Sequence, residues 1–208
     1  MPEFAALLDG YKRFREYSYP RQKARYDELS KEGQHPPVMV ISCCDSRVDP
    51  ATIFDTGPGQ MFALRNVANL VPPYEEGGGQ HGASAAIEFG VTGLHVKHIV
   101  VLGHGQCGGI GAALKGEDLG VPGPSFIDHW MEIIHDARDQ VIADAPEDPQ
   151  RMLEWEAIKV SLANLRTFPF IAEEEAAGNL KLHGAWYAIG EAQLFELDEA
   201  SGEFSLVE

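Results

Sequence analysis

The stretch "HIVVLGHGQCGGIGAAL", His98 to Leu114, decides how the rest of the chain is read. Taken for its glycines it spells G-x-G-x-x-G at Gly103, Gly105 and Gly108, behind an apolar run and ahead of a helix-like segment. That is the layout of a dinucleotide-binding loop. Taken for its ligands it spells His104-x-x-Cys107, which is half of a zinc site. The two readings name different cofactors.

A dinucleotide fingerprint wants small or neutral residues between its glycines and an acidic residue about 20 positions on, at the end of the next strand. Here the intervening positions hold His104, Gln106 and Cys107, and the following "KGEDLGVPGPS" reads as a turn-rich loop with no strand. Zinc accepts thiolate and imidazole nitrogen tetrahedrally, and its catalytic sites use three protein ligands with the fourth position open. Cys43, at the end of another apolar run, supplies a third ligand beside His104 and Cys107. On this reading the glycines let the loop turn tightly so that both ligands reach one metal.

The apolar runs set the fold. "PPVMVISC" gives a short buried strand ending at Cys43, "GQMFALRN" a second ending near Arg65, and "HIVVLG" a third. "GASAAIEFGVTGL" is helical and rich in small residues, and further helical periodicity runs through "FIDHWMEIIHDARDQVI" and "RMLEWEAIKVSLANLRTF". Strands buried on both faces and separated by helices predict an α/β fold with a central, mainly parallel sheet flanked by helices. The C-terminal "GNLKLHGAWYAIGEAQLFELDEASGEFSLVE" alternates like strands and turns, which predicts antiparallel strands at the sheet edge. Ligands in such sheets gather at the carboxyl ends of the strands, where Cys43 and the loop 103–108 both lie.

With 208 residues the chain is expected to form a single domain, 1–208, in which residues 1–33 make an N-terminal helical arm. Phe4, Leu7, Leu8, Tyr11 and Phe14 fall at helical spacing there, with a break expected near Tyr19-Pro20, and such a stripe needs something to cover it. A formal charge of −16 repels polyanions and anionic membranes, so no nucleic acid and no membrane partner is expected. No apolar run approaches the roughly 20 residues of a span, and "MPEFAALLDGYKRFREYSYP" has acids where a signal peptide needs a basic start. A cytoplasmic location is the expectation. Three cysteines, an odd number, then point to metal binding or catalysis rather than to disulfides.

In "SCCDSRVDP" an extended chain leaving the strand would place Cys43, Asp45 and Arg47 on one face and Cys44 on the other, as a small buried residue. Asp45 and Arg47 can satisfy each other as a charge-assisted pair. Taken alone, this motif is equally an ordinary ion pair beside a structural cysteine.

The combination is more specific. "CCDSR", "FALRNVANLVPPY" and "GHGQCGG", in this order and approximate spacing, resemble the β-class carbonic anhydrases, and the likeness runs from the N-terminal helices to "HGAWYAIGEAQLFEL". The resemblance implies that Cys43, His104 and Cys107 hold one Zn2+ per subunit and that Asp45 and Arg47 form a catalytic dyad. It also implies substrate-binding roles for Gln34, Phe62, Val67, Phe89 and the Gly108 backbone N–H. Phe89 stands where the plant-like members usually carry tyrosine. The subset inactivated by bicarbonate has tryptophan where this chain has Val40, so the likeness favours the open form, with Asp45 only a conditional ligand.

The implied activity is zinc-dependent, reversible hydration of carbon dioxide to bicarbonate and a proton, by a zinc-bound hydroxide that the dyad orients. Hydrolysis of carbonyl sulfide or carbon disulfide on the same site is an alternative, as is a non-catalytic zinc- or bicarbonate-binding role. The implied assembly is a homodimer or higher homo-oligomer in which the N-terminal helices pack on a partner subunit.

Overall fold

The computed structural model describes residues 3–77, 79–116 and 125–208. Most of the loop expected after Lys115, residues 117–124, thus lies outside the described residues. Contacts divide the chain into two compact units, Met1–His35 and Pro36–Glu208.

The first unit holds helices α1 (Glu3–Arg13) and α2 (Tyr19–Glu32), joined through a π-helical turn at Phe14–Ser18. The expected break at Tyr19-Pro20 does not occur. Pro20 sits in the first turn of α2, where its missing N–H is no loss. The rings of Phe14, Tyr19 and Tyr26 cluster with centroids 5.4–6.1 Å apart. Neither helix has a buried residue, and Phe4, Leu7, Leu8, Tyr11 and Tyr17 are exposed.

The second unit is built on a six-stranded sheet in the order β2-β1-β3-β4-β5-β6. The strands are β1 (Val38–Cys43), β2 (Met61–Asn66), β3 (His98–His104), β4 (Lys181–Ala188), β5 (Gln193–Asp198) and β6 (Glu203–Leu206). The first four pair in parallel, and β5 and β6 are antiparallel. The C-terminal segment therefore splits: β4 extends the parallel sheet, and only β5 and β6 make its antiparallel edge. β4 can be parallel because helices intervene between it and β3, which is what a crossover connection requires.

Side chains alternate across the strands and so divide the core. Met39, Ile41, Ile99, Val101 and Trp186 meet Ile158, Leu162 and Leu165 of α8 (Pro149–Leu165) in one cluster, while Val40, Leu102 and Ala185 form a smaller one. The helical periodicity from Phe126 onward is interrupted: α6 (Phe126–Met131) passes through a 3-10 turn, Glu132–Ile134, into α7 (His135–Asp144). Asp148 caps α8, its carboxylate accepting from the Arg151 N–H at 3.0 Å. Among the described residues no helix is long and apolar enough to cross a membrane.

From β1 the chain moves outward to β2 and then returns to the other side of β1 to form β3. This reversal of strand order opens a crevice at the carboxyl ends of β1 and β3, the usual place for a ligand site in an open α/β sheet.

Candidate metal centre

Cys43 is the last residue of β1 and His104 the last of β3, and Cys107 precedes helix α5 (Gly108–Lys115). The parallel register carries the two strand ends to the same level, and the loop Gly105–Cys107 folds back over them. One ligand atom from each of the three lies within 4.8 Å of the others, and their residues are 4%, 1% and 2% exposed.

Several of the loop's backbone groups are held. Gly105 N–H donates to Tyr187 O at 2.9 Å, and Arg47 Nη2 donates to Gln106 O at 3.0 Å. His104 Nδ1 lies 2.9 Å from Gly105 O, a contact that makes Nδ1 the protonated nitrogen. Nε2 is then left with its lone pair, buried and with no hydrogen-bond partner. A buried polar atom without a partner is costly unless something fills its position. Two thiol sulfurs at the same point, with a partnerless imidazole nitrogen, are the donor set that zinc prefers.

The glycines act differently from the tight-turn expectation. Gly103, Gly105 and Gly108 all have negative φ, and the left-handed residue of the loop is Gln106, at φ 56°. A Cβ on Gly103 would meet Ile158 Cδ1 at 2.7 Å, and one on Gly105 would meet Trp186 Cζ2 at 3.1 Å. These two glycines let α8 and β4 approach from beneath. A Cβ on Gly108 would meet nothing within 4 Å, which leaves its side of the loop open.

The thiols favour ionisation at Cys43. A hydrogen bond from Cys107 lowers its pKa, helped by His104 and the backbone N–H groups of Asp45 and Ala68, while donating that bond and burial both raise the pKa of Cys107. Burial pushes His104 down, but the Cys43 sulfur and the Gly105 carbonyl pull it up by more.

Beyond Cys43 the chain does not stay extended; Ser46 and Arg47 form a turn. Asp45 Oδ1 accepts from Arg47 N–H at 2.9 Å and from Nε at 3.0 Å, and Oδ2 accepts from Nη2 at 2.7 Å. Those bonds from Arg47 hold the Asp45 carboxyl well below the usual carboxylate range. Cys44 does not point into the core as the alternation predicted: the turn leaves it exposed. Arg65 fixes the segment, donating to Cys43 O at 2.9 Å and to Asp45 O at 2.7 Å. Beside it Asn66 Nδ2 reaches Leu70 O at 2.8 Å.

Val67 and Gly108 line one cavity of about 630 Å³, together with Gly109, Ile127, Met131 and His135 among others. Phe62 and Phe89 pack on each other, centroids 5.9 Å apart, but Phe62 pairs with Met39. That places it four residues before the level of Cys43, about 13 Å down the sheet. Gln34 belongs to the N-terminal unit, exposed after the end of α2.

Two further residues contact the site without having been singled out from the sequence. Trp130 Nε1 donates to Val67 O at 2.9 Å. Glu154, 3% exposed on the core-facing stripe of α8, accepts from the Cys107 N–H at 2.9 Å. A glutamate among Leu153, Ala157, Ile158 and Leu162 was the available signal, because a charge on a buried stripe needs partners.

Comparison with known proteins agrees with this arrangement. A sequence model for the family described as carbonic anhydrase matches residues 38–194. Beta carbonic anhydrase 3 of Arabidopsis thaliana is 36% identical over 200 residues, covering 92% of this chain and 76% of that protein. The structure of the β-carbonic anhydrase CcaA superposes with a TM-score of 0.91 at 30% identity, covering all of this chain and 93% of that one. A tetrameric β-carbonic anhydrase from Sordaria macrospora does so with a TM-score of 0.80 at 29% identity, over 95% of this chain and 98% of the other. A chain that matches the family model over most of its length, and carries a Cys-His-Cys cluster at the end of its parallel strands, belongs to the β-class carbonic anhydrase family.

Proposed function

We propose that the chain reversibly hydrates carbon dioxide to bicarbonate and a proton, with one zinc ion held by Cys43, His104 and Cys107. The observation that carries this reading is the convergence of those three ligand atoms within 4.8 Å, next to an Asp45–Arg47 pair tied to the same loop. Bound there, zinc supplies the Lewis acidity that makes water a nucleophile near neutral pH.

The chain's own residues then orient and receive. Ionised Asp45 can only accept hydrogen bonds, so it accepts one from the attacking oxygen and thereby directs a lone pair of that oxygen at the carbon. Arg47 keeps Asp45 ionised, engages both its oxygens and thereby holds it back from the ligand triad. The Gln34 amide donates to the substrate oxygen on which negative charge develops. The Gly108 N–H, at the start of α5, favours the anionic product.

Val67, Phe62 and Phe89 provide the apolar surface that suits carbon dioxide. In this chain the two phenylalanines lie together, away from Cys43, which supports a pocket shared between two subunits. A homodimer is the smallest unit that completes it, and the relatives from Sordaria macrospora are tetrameric.

Zinc content and stopped-flow hydration measured on the same samples test this. Asp45→Asn is expected to keep zinc and lose most of the hydration rate, and Cys107→Ser to lose zinc. Near-normal turnover in the first variant, or full metal loading in the second, sinks the assignment.

A further inference from the structure

The Glu154 carboxylate lies beneath the ligand loop and meets three donors. Oε1 accepts from the Cys107 N–H at 2.9 Å and from Gln150 Nε2 at 3.1 Å, and Oε2 accepts from Trp186 Nε1 at 3.0 Å. Both oxygens face N–H groups. A buried carboxylate is otherwise an expensive occupant of a helix stripe, where an apolar residue of similar volume would serve stability as well or better.

The partners show what it is placed to do. Trp186 pairs with Gly103 in the β3–β4 register, and its ring is the one a Cβ on Gly105 would meet. Gln150 Nε2 also reaches Cys107 O at 3.5 Å. Glu154 therefore links α8 to β4 and to the peptide of a ligand residue. The N–H of Cys107 fixes the orientation of the peptide plane that enters that residue, and so the direction in which its sulfur points.

We propose that Glu154 is a positioning residue for the metal site: its carboxylate locks the Cys107 backbone from beneath so that the sulfur is aimed before metal arrives. It acts through Cys107 and touches neither substrate nor reacting atoms. Outer partners of this kind are typically worth ten- to a hundredfold in metal affinity.

The inference rests on the zinc reading above, so the wild-type chain is tested first, by chelator competition with zinc. Failure of the wild type to bind zinc overturns that reading itself. Glu154→Gln keeps the shape but sets an amide N–H against one of the three donors; its zinc affinity is expected to fall about ten- to a hundredfold. The thermal midpoint of the metal-free variant is expected to stay within about 4 °C of wild type.

Glu154→Asp keeps the charge and withdraws it by one methylene. If position is what matters, it too loses at least fivefold in affinity, and the cobalt-substituted forms of both variants show a shifted thiolate-to-cobalt absorption band. Wild-type affinity and an unchanged cobalt spectrum in either variant overturn the proposal. So does a loss of binding that is fully explained by a fall in the stability of the metal-free protein.

Discussion

Gly103 and Gly108 stand five positions apart on one motif and make opposite demands on a substitution. Gly103→Ala sets a methyl group 2.7 Å from Ile158 Cδ1 and 3.0 Å from its Cγ1. Overpacking of this kind costs about 1–3 kcal/mol, read as a lower denaturant midpoint for the metal-free protein. Gly108→Ala meets no atom within 4 Å, and its stability is expected within about 0.5 kcal/mol of wild type. Equal losses in the two would remove the distinction between a packing glycine and an open one. The Cys43, His104 and Cys107 cluster was legible as a candidate because two thiols and an imidazole at strand ends are the donor types that a metal takes. The glycines were misread as turn-makers because what they accommodate, Ile158 and Trp186, comes from α8 and β4, far along the chain. Glu154 carried a signal of its own, but its partners Cys107 and Trp186 were hidden for the same reason.

Helix α8 is the element on which the site depends, since it carries Gln150, Glu154 and Ile158 on the side facing β3 and β4. Its start is fixed by Asp148, whose carboxylate is held below its ordinary range first of all by the Arg151 N–H. Asp148→Ala is expected to cost about 1 kcal/mol at neutral pH. A group whose folded pKa is depressed contributes stability above its unfolded pKa and loses it as pH falls through the folded value. The gap between wild type and variant, followed by thermal melts, should therefore close as pH drops below about 4. A gap that persists at pH 2 would show that the cap works by something other than its charge. The sequence announced the three parallel strands around the site because their apolar runs are bounded by turns. β4 was harder to see as parallel: Lys181 and His183 interrupt its apolar pattern, and only the crossover through α8 fixes its direction.

For the molecule as a whole, the N-terminal unit is the part with an unmet requirement. Phe4, Leu7, Tyr11 and Tyr17 are exposed on helices that bury nothing within their own unit, in a chain whose charge of −16 otherwise favours separation. If these side chains cover a second copy, Leu7→Glu together with Tyr11→Glu should sediment as a monomer, keep its helical circular dichroism and lose most hydration activity. A dimer that survives both changes would assign the interface elsewhere. The apolar periodicity of the stripe was plain in the sequence. Its partner was not, because periodicity marks an apolar face and never what lies against it.

The strand order has a consequence for durability. Cys43 and His104 end neighbouring strands, yet β2 and helix α4 (Gly82–Glu88) lie between them in the chain. A metal gripping both ends closes that long stretch into a ring, as a disulfide would, and draws on the folded state alone for its geometry. Resistance to heat then rises and falls with free metal by mass action. With a metal held there, how long this protein lasts would become a property of its surroundings as much as of its packing.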